Sequence, residues 1–305
     1  MKKSVVSTAV AALGLGFALA SLPATAAITW YNPITSFEDD NIDRFIDNDG
    51  DGELSIGDRL VSVFEFGSTS GIFAGQGPSP IGPAELTGVS DITVTGRVAT
   101  GNFIAGLPEY RFTFGATANG LITGGADSVA NIAGAMAVLW LDDAPDLNVI
   151  NAACGTLANC LAQASDGLPN PWLAVGLGSD ADAFWTGVGA ASIAGISGLA
   201  ANSKVATINF QLDVLVNNTG QTFGPQPCSP LDVANPADSV CGTGDGQVLL
   251  IGSGDILGGQ GLENGWHARS DTDAQVAPVP EPGTLALLAG ALLAGGVASR
   301  KRMSK

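Results

Sequence analysis

Two uncharged apolar runs, residues 4–22 and residues 283–299, bracket this chain and limit what lies between them to a self-contained body. The first run follows Lys2 and Lys3 and is succeeded by Ala24-Thr25-Ala26. A basic head, an apolar middle and a small-x-small end make a secretory signal peptide, cleaved after Ala26 or Ala27. The second run, about 17 residues long, is at the short end of what crosses a ~30 Å hydrocarbon layer. Arg300, Lys301, Arg302 and Lys305 follow it, and a basic cluster in that position holds its end in the cytoplasm, leaving the body outside. The expected organisation is a signal peptide over 1–26, an exported domain over 27–278 and a tail over 279–305.

Within the body only Arg44, Arg59, Arg97, Arg111, Lys204 and Arg269 are basic, whereas every one of the 29 acidic residues except Glu281 lies there. A surface this acidic repels nucleic acid and anionic lipid headgroups and collects divalent cations. Gly, Thr, Ser, Asn and Val dominate, Lys is nearly absent, and no long Glu/Lys/Leu helix is visible. Strand signals recur along the body. Residues 28–30 read as a first strand. Residues 59–66 have strand propensity with imperfect alternation, and residues 84–99 carry Val89, Ile92, Val94 and Val98 among Ser and Thr. Tyr110, Phe112 and Phe114 alternate cleanly, and residues 135–141 form an apolar run fit for a strand buried on both faces. Residues 172–177, 205–216 and 247–251 complete the set. Helical turns are expected at 39–44, 156–164 and 180–185, and long loops at 67–83 and 219–245. The expected fold class is all-β (mainly β), an antiparallel β-sandwich or barrel with long Gly-rich loops and few short helices. An N-terminal signal helix and a C-terminal transmembrane helix are expected to flank it.

Cys154, Cys160, Cys228 and Cys241 enter an oxidising compartment, where disulfides are the default. Four cysteines allow three connectivities; the local pairing, Cys154–Cys160 with Cys228–Cys241, pins two short stretches. No Cys-x-x-Cys is present, which disfavours zinc.

The strongest chemical signal is residues 47–58, Asp-Asn-Asp-Gly-Asp-Gly-Glu-Leu-Ser-Ile-Gly-Asp. Asp47, Asp49 and Asp51 fall at positions 1, 3 and 5, Gly52 at the sharp turn, and Ser55 and Asp58 at positions 9 and 12. Glu53 offers its backbone carbonyl, and the apolar Leu54 anchors the loop. Alternate oxygens at this spacing wrap a hard cation, so calcium is the expected cofactor. The segment resembles the calcium loops of EF-hands and, more closely, dockerin repeats. The residues after Asp58 read as strand, not helix, which argues against a complete EF-hand.

Other polar groups are weaker signals. Asp142, Asp143 and Asp146, and Asp180 with Asp182, read as solvated strand ends. Trp30, Trp140, Trp172, Trp185 and Trp266 would suit a sugar-stacking platform but more often pack in a core. His267, Ser270 and Asp271 are too close in sequence to form a triad. No catalytic constellation is evident, and the expectation is a protein that is not an enzyme.

Val279-Pro280-Glu281-Pro282, the apolar run and the Arg300-Lys301-Arg302 cluster together resemble the PEP-CTERM sorting signal of Gram-negative bacteria. That resemblance implies an exosortase-type membrane protease as partner, cleavage near Pro280-Glu281-Pro282, a transient stay in the inner membrane, and delivery to the cell surface or extracellular matrix. The acidic loop, residues 209–214 (Asn-Phe-Gln-Leu-Asp-Val) and residues 268–274 (Ala-Arg-Ser-Asp-Thr-Asp-Ala) are similar to flocculation-associated PEP-CTERM proteins, which implies a structural or adhesive role with exopolysaccharide in biofilm or floc formation. The alternatives are a calcium-dependent carbohydrate-binding module and, less favoured, a secreted hydrolase with paired carboxylates.

Overall fold

The computed structural model describes residues 35–66, 85–117, 132–142, 146–166, 168, 170–178, 183–218, 222–224 and 249–279. The signal peptide, the sorting tail, residues 28–30, the Cys228–Cys241 pairing and most of the expected long loops lie outside them. The described residues are mostly strand, as expected. Eleven strands pair antiparallel throughout. They are β1 (Thr35–Ile46), β2 (Arg59–Phe66), β3 (Glu85–Ile104), β4 (Leu107–Ala116), β5 (Ala135–Asp142), β6 (Leu173–Gly176), β7 (Phe184–Ala190), β8 (Lys204–Asn217), β9 (Thr222–Gly224), β10 (Leu249–Gly258) and β11 (Ala268–Val279). Among the described residues two short α-helices, α1 (Leu157–Ser165) and α2 (Ile193–Gly198), join them.

The ladder β10-β11-β1-β2-β3-β4-β7-β8 closes on itself because β8 also pairs with β10. Of the two architectures expected from sequence, the pairings therefore describe a barrel. β3 and β8 are long enough to take different partners along their lengths. Glu85–Ser90 of β3 pair with β5, and the stretch from Ile92 onward pairs with β4. In β8, residues 206–211 pair with β7 and residues 213–217 with β6. Two separate two-strand bridges, β4–β7 and β5–β6, thus span the gap between β3 and β8.

Two apolar cores follow. The inner one fills the barrel with Phe45, Leu60, Phe64, Leu86, Phe112, Leu139, Trp185, Phe210 and their neighbours. The outer one lies on the opposite faces of β1, β2, β3 and β5, where Ile42, Val61, Val63, Val89, Val138 and Trp140 meet Leu147, Val149, Leu161 and Ala164 of the β5–β6 connection. Strands buried on both faces carry apolar residues at consecutive positions, which is why β2 alternates imperfectly and β5 reads as one apolar run.

The β5–β6 connection is fastened as well as packed. Thr156 caps α1 by accepting from Asn159 N, and Cys154 is disulfide-bonded to Cys160 as expected. The Thr87 hydroxyl donates to Ala164 O at 2.6 Å and the Trp266 indole donates to Gly155 O at 2.7 Å.

Three local expectations need correction. Residues 39–44 are not a helical turn but the middle of β1, because Asn41, Asp43 and Phe45 face the barrel while Ile42 enters the outer core. Trp185 is not at the end of a helix but in β7, packed on Phe210 with ring centroids 4.8 Å apart; residues 180–182 lie outside the described residues. Within the expected 219–245 loop, Thr222–Gly224 form β9 and pair with the end of β11.

The outer cover supplies a prediction. Closing a loop as short as Cys154–Cys160 stabilises by about 2 kcal/mol through the unfolded chain. Cys154→Ser with Cys160→Ser is expected to lower the melting temperature by several degrees while leaving far-UV circular dichroism strand-like. Unchanged melting, or wholesale loss of strand signal, contradicts this account of the cover as a fastened but secondary layer.

Candidate functional site

Residues 47–58 connect β1 to β2 at one pole of the barrel, and their backbone is held by the domain rather than left free. Leu54 N donates to Ala191 O at 2.8 Å and Ile193 N to Gly52 O at 3.1 Å, tying the loop to the start of α2. Gly57 N donates to Val94 O at 2.9 Å and Val94 N to Asp58 O at 2.8 Å, so the loop runs into the β2–β3 ladder. Leu54 is buried in the inner core, the anchor expected of it. Gly50 and Gly52 sit at φ +76° and +79°, where a Cβ is strained.

This path gathers Asp47, Asp49, Asp51 and Asp58 so that one oxygen from each lies within 4.8 Å of the others. Backbone amides orient the carboxylates. Gly50 N and Gly52 N donate to Asp47 at 2.6 and 2.8 Å, Asp51 N to Asp49 at 3.2 Å, and Glu53 N to Asp51 at 2.7 Å. Asn48 N donates to one oxygen of Asp58 at 2.7 Å and Ser55 N to the other at 2.8 Å. The Ser55 hydroxyl stands between Asp49 and Asp58, 3.0 Å from each. Asp47 is held below its usual carboxylate range, mainly by the Gly52 amide, with Gly50 adding to it. The Glu53 side chain turns away to pair with Arg97, whose guanidinium lies 3.9 Å from the centre of the Tyr110 ring. Only its backbone then remains for a cation, as the spacing suggests. A β-strand follows Asp58, so the loop is not half of an EF-hand.

The remaining sequence candidates separate. Trp140, Trp172, Trp185 and Trp266 are all buried and present no exposed stacking face; Trp30 lies outside the described residues. His267 accepts from Phe45 N at 3.0 Å and stacks on the Phe45 ring, while Ser270 bonds Asp43. Burial, aided by Arg44, lowers the His267 pKa. Asp142 ends β5 and Asp146 is exposed, whereas Asp143, Asp180 and Asp182 lie outside the described residues.

One group had no sequence signal beyond an inward position on a strand that reads as helical. Asp43 lies inside the barrel, 1% exposed. Ser62 donates to its Oδ1 at 2.5 Å and Ser270 donates to the same atom at 3.2 Å, while Oδ2 has no partner. Burial pushes its pKa up to about 6, the two hydroxyls pulling it partly back. The sign follows from linkage. Below the unfolded value of 3.8 the group is neutral in both states; as pH rises through about 6 the folded protein must charge it, and stability falls. The span corresponds to about 3 kcal/mol. Asp43→Asn is expected to remove that decline, so the melting temperature of the variant relative to wild type rises between pH 4 and pH 7. A constant difference across the range rejects this assignment.

Among the described residues no helix is long and apolar enough to cross a membrane. Pro280, Glu281, Pro282, Arg300, Lys301 and Arg302 follow directly on β11, beyond the described residues. Residues 278–302 match the family model of the PEP-CTERM protein-sorting motif. No curated protein and no solved structure matches the chain. The motif indicates export and cell-surface sorting with processing by exosortase, a membrane protease, and the chain is a PEP-CTERM domain-containing protein.

Proposed function

We propose that the exported barrel is a non-catalytic structural or adhesive component of the extracellular matrix, and that residues 47–58 bind calcium through Asp47, Asp49, Asp51, Ser55, Asp58 and the Glu53 carbonyl. The observation that carries the proposal is the convergence of four carboxylates on one point of a loop that is hydrogen-bonded into the barrel wall. Calcium takes six to eight oxygens, and a bound ion relieves the mutual repulsion of the carboxylates. Affinity in the extracellular class, ~10⁻⁴–10⁻³ M, suits a partly exposed site. The acidic body and a divalent cation together provide a means of bridging to acidic exopolysaccharide, holding cells in a biofilm or floc. A calcium-dependent carbohydrate-binding module is less well supported, since the four described tryptophans are buried.

Calcium at millimolar concentration is expected to raise the melting temperature of the protein by a few degrees over chelator, with magnesium less effective. Asp49→Ala is expected to abolish the difference without changing the chelator curve. Equal melting with calcium and chelator rules out the ion. For the wider role, sedimentation with purified exopolysaccharide is expected to require calcium and to be lost in Asp49→Ala; binding that is indifferent to both removes the bridging model.

A further inference from the structure

The barrel interior is not completely filled. A cavity of about 60 Å³ remains, lined by residues from β1, β2, β3, β5, β6, β7, β8, β10 and β11. At ~10–15 Å³ per water this is room for several small heavy atoms. Its lining is divided by chemistry. Asn41, Asp43, Ser62, Ser90, Ser270 and Thr272 form a polar wedge on adjoining strands. Leu139, Val175, Trp185, Ile208, Phe210 and Leu212 make the facing apolar wall.

Hydrogen bonds link several members of the wedge to one another. Ser62 and Ser270 both donate to Asp43 Oδ1, and Asn41 Nδ2 donates to Thr272 Oγ1 at 3.2 Å. Asp43 is one of the residues lining the cavity, and its Oδ2 is buried with no hydrogen-bond partner. The Trp185 indole N–H, in the apolar wall, is also without one. Among the described residues no arginine, lysine or histidine lines the cavity. A carboxylate buried without a cation carries a large desolvation cost, which the Ser62 and Ser270 hydroxyls offset only in part.

We propose that this cavity is a binding site for a small primary alkylammonium ion, its nitrogen on Asp43 Oδ2 and its short alkyl chain against Leu139, Phe210 and Leu212. An ammonium group brings three donors and one positive charge to a corner that has acceptors and a negative charge. Its alkyl part packs against the side-chain carbons of Leu139, Phe210 and Leu212 in the facing wall. A hard metal ion fits less well, because it wants six or more oxygens around it and half of this chamber offers none. A neutral alcohol satisfies the hydrogen bond but leaves the charge uncompensated. The site is distinct from the acidic loop and independent of calcium.

The test uses n-propylammonium chloride with the full chain in mild detergent at neutral pH, read by calorimetric titration and thermal unfolding against sodium chloride of equal ionic strength. Saturable binding at one ion per chain and a rise in melting temperature are expected, with propan-1-ol at least ~10-fold weaker. Asp43→Asn is expected to weaken propylammonium binding at least ~10-fold while bringing it level with propan-1-ol. Ala137→Leu, which adds bulk to the cavity without touching Asp43, is expected to block both compounds and guards against a folding defect in the first variant. Absence of saturable binding overturns the proposal. So does equal affinity for the ammonium and the alcohol in wild type, or undiminished binding by either variant.

Discussion

The pairing of β8 with β10 is the contact on which the rest of the structure depends. It joins the two ends of the ladder, leaving each long strand with a neighbour on both sides. Closure removes the unpaired edges that make open sheets prone to adding foreign strands. That matters for a protein whose sorting motif indicates export and delivery to the cell surface. Closure also defines an inside. Positions that would be one face of an open sheet become the lining of a chamber, and their chemistry is judged by burial rather than by hydration.

The same closure explains which parts of the fold were legible in the sequence. β4 alternates cleanly because Phe112 and Phe114 point inward while Arg111 and Thr113 face out. β2 and β5 gave apolar runs because α1 and its connection bury their outer faces. β1 was misread because Glu38, Asp39, Asp40 and Asp43 resemble a helix start, and nothing local reveals that Asn41 and Asp43 have hydroxyl partners far along the chain. β11 left no apolar pattern, since its inward Ser270, Thr272 and Ala274 are small or polar and its outward Arg269, Asp271, Asp273 and Gln275 are polar or charged. β7 contains two glycines in seven residues. At Gly189 a Cβ would stand 2.2 Å from that of Ala206, so the close approach of β8 sets the residue there and local propensity does not.

The convergence of Asp47, Asp49, Asp51 and Asp58 was legible because its information is local. Ligand spacing, turn glycines and the apolar anchor all fall within residues 47–58, and backbone amides from the same stretch aim the carboxylates. The barrel cavity was illegible for the opposite reason. Its polar wedge is drawn from β1, β2, β3 and β11, and Asp43 reaches Ser270 across 227 positions of sequence. Such a site exists only through register, and a slip of one residue in β1 would send Asp43 to the outer face.

Register also fixes the two functional ends of the molecule relative to each other. Ile46 pairs with Arg59 and Asp43 with Ala268, placing residues 47–58 at the pole where β11 begins. Thr35 pairs with Val276, placing the opposite pole where β11 ends and the sorting motif starts. At ~3.4 Å per residue, the length of β11 separates them by roughly 40 Å along the strand. The candidate calcium loop therefore lies at the opposite end of β11 from the sorting motif. β11 runs to Val279 and so overlaps the first two residues of the sorting motif. The pairings of β11 with β1 and β10 end at Val276 and Gln275, so the ladder that closes the barrel stops short of the motif at residues 278–302.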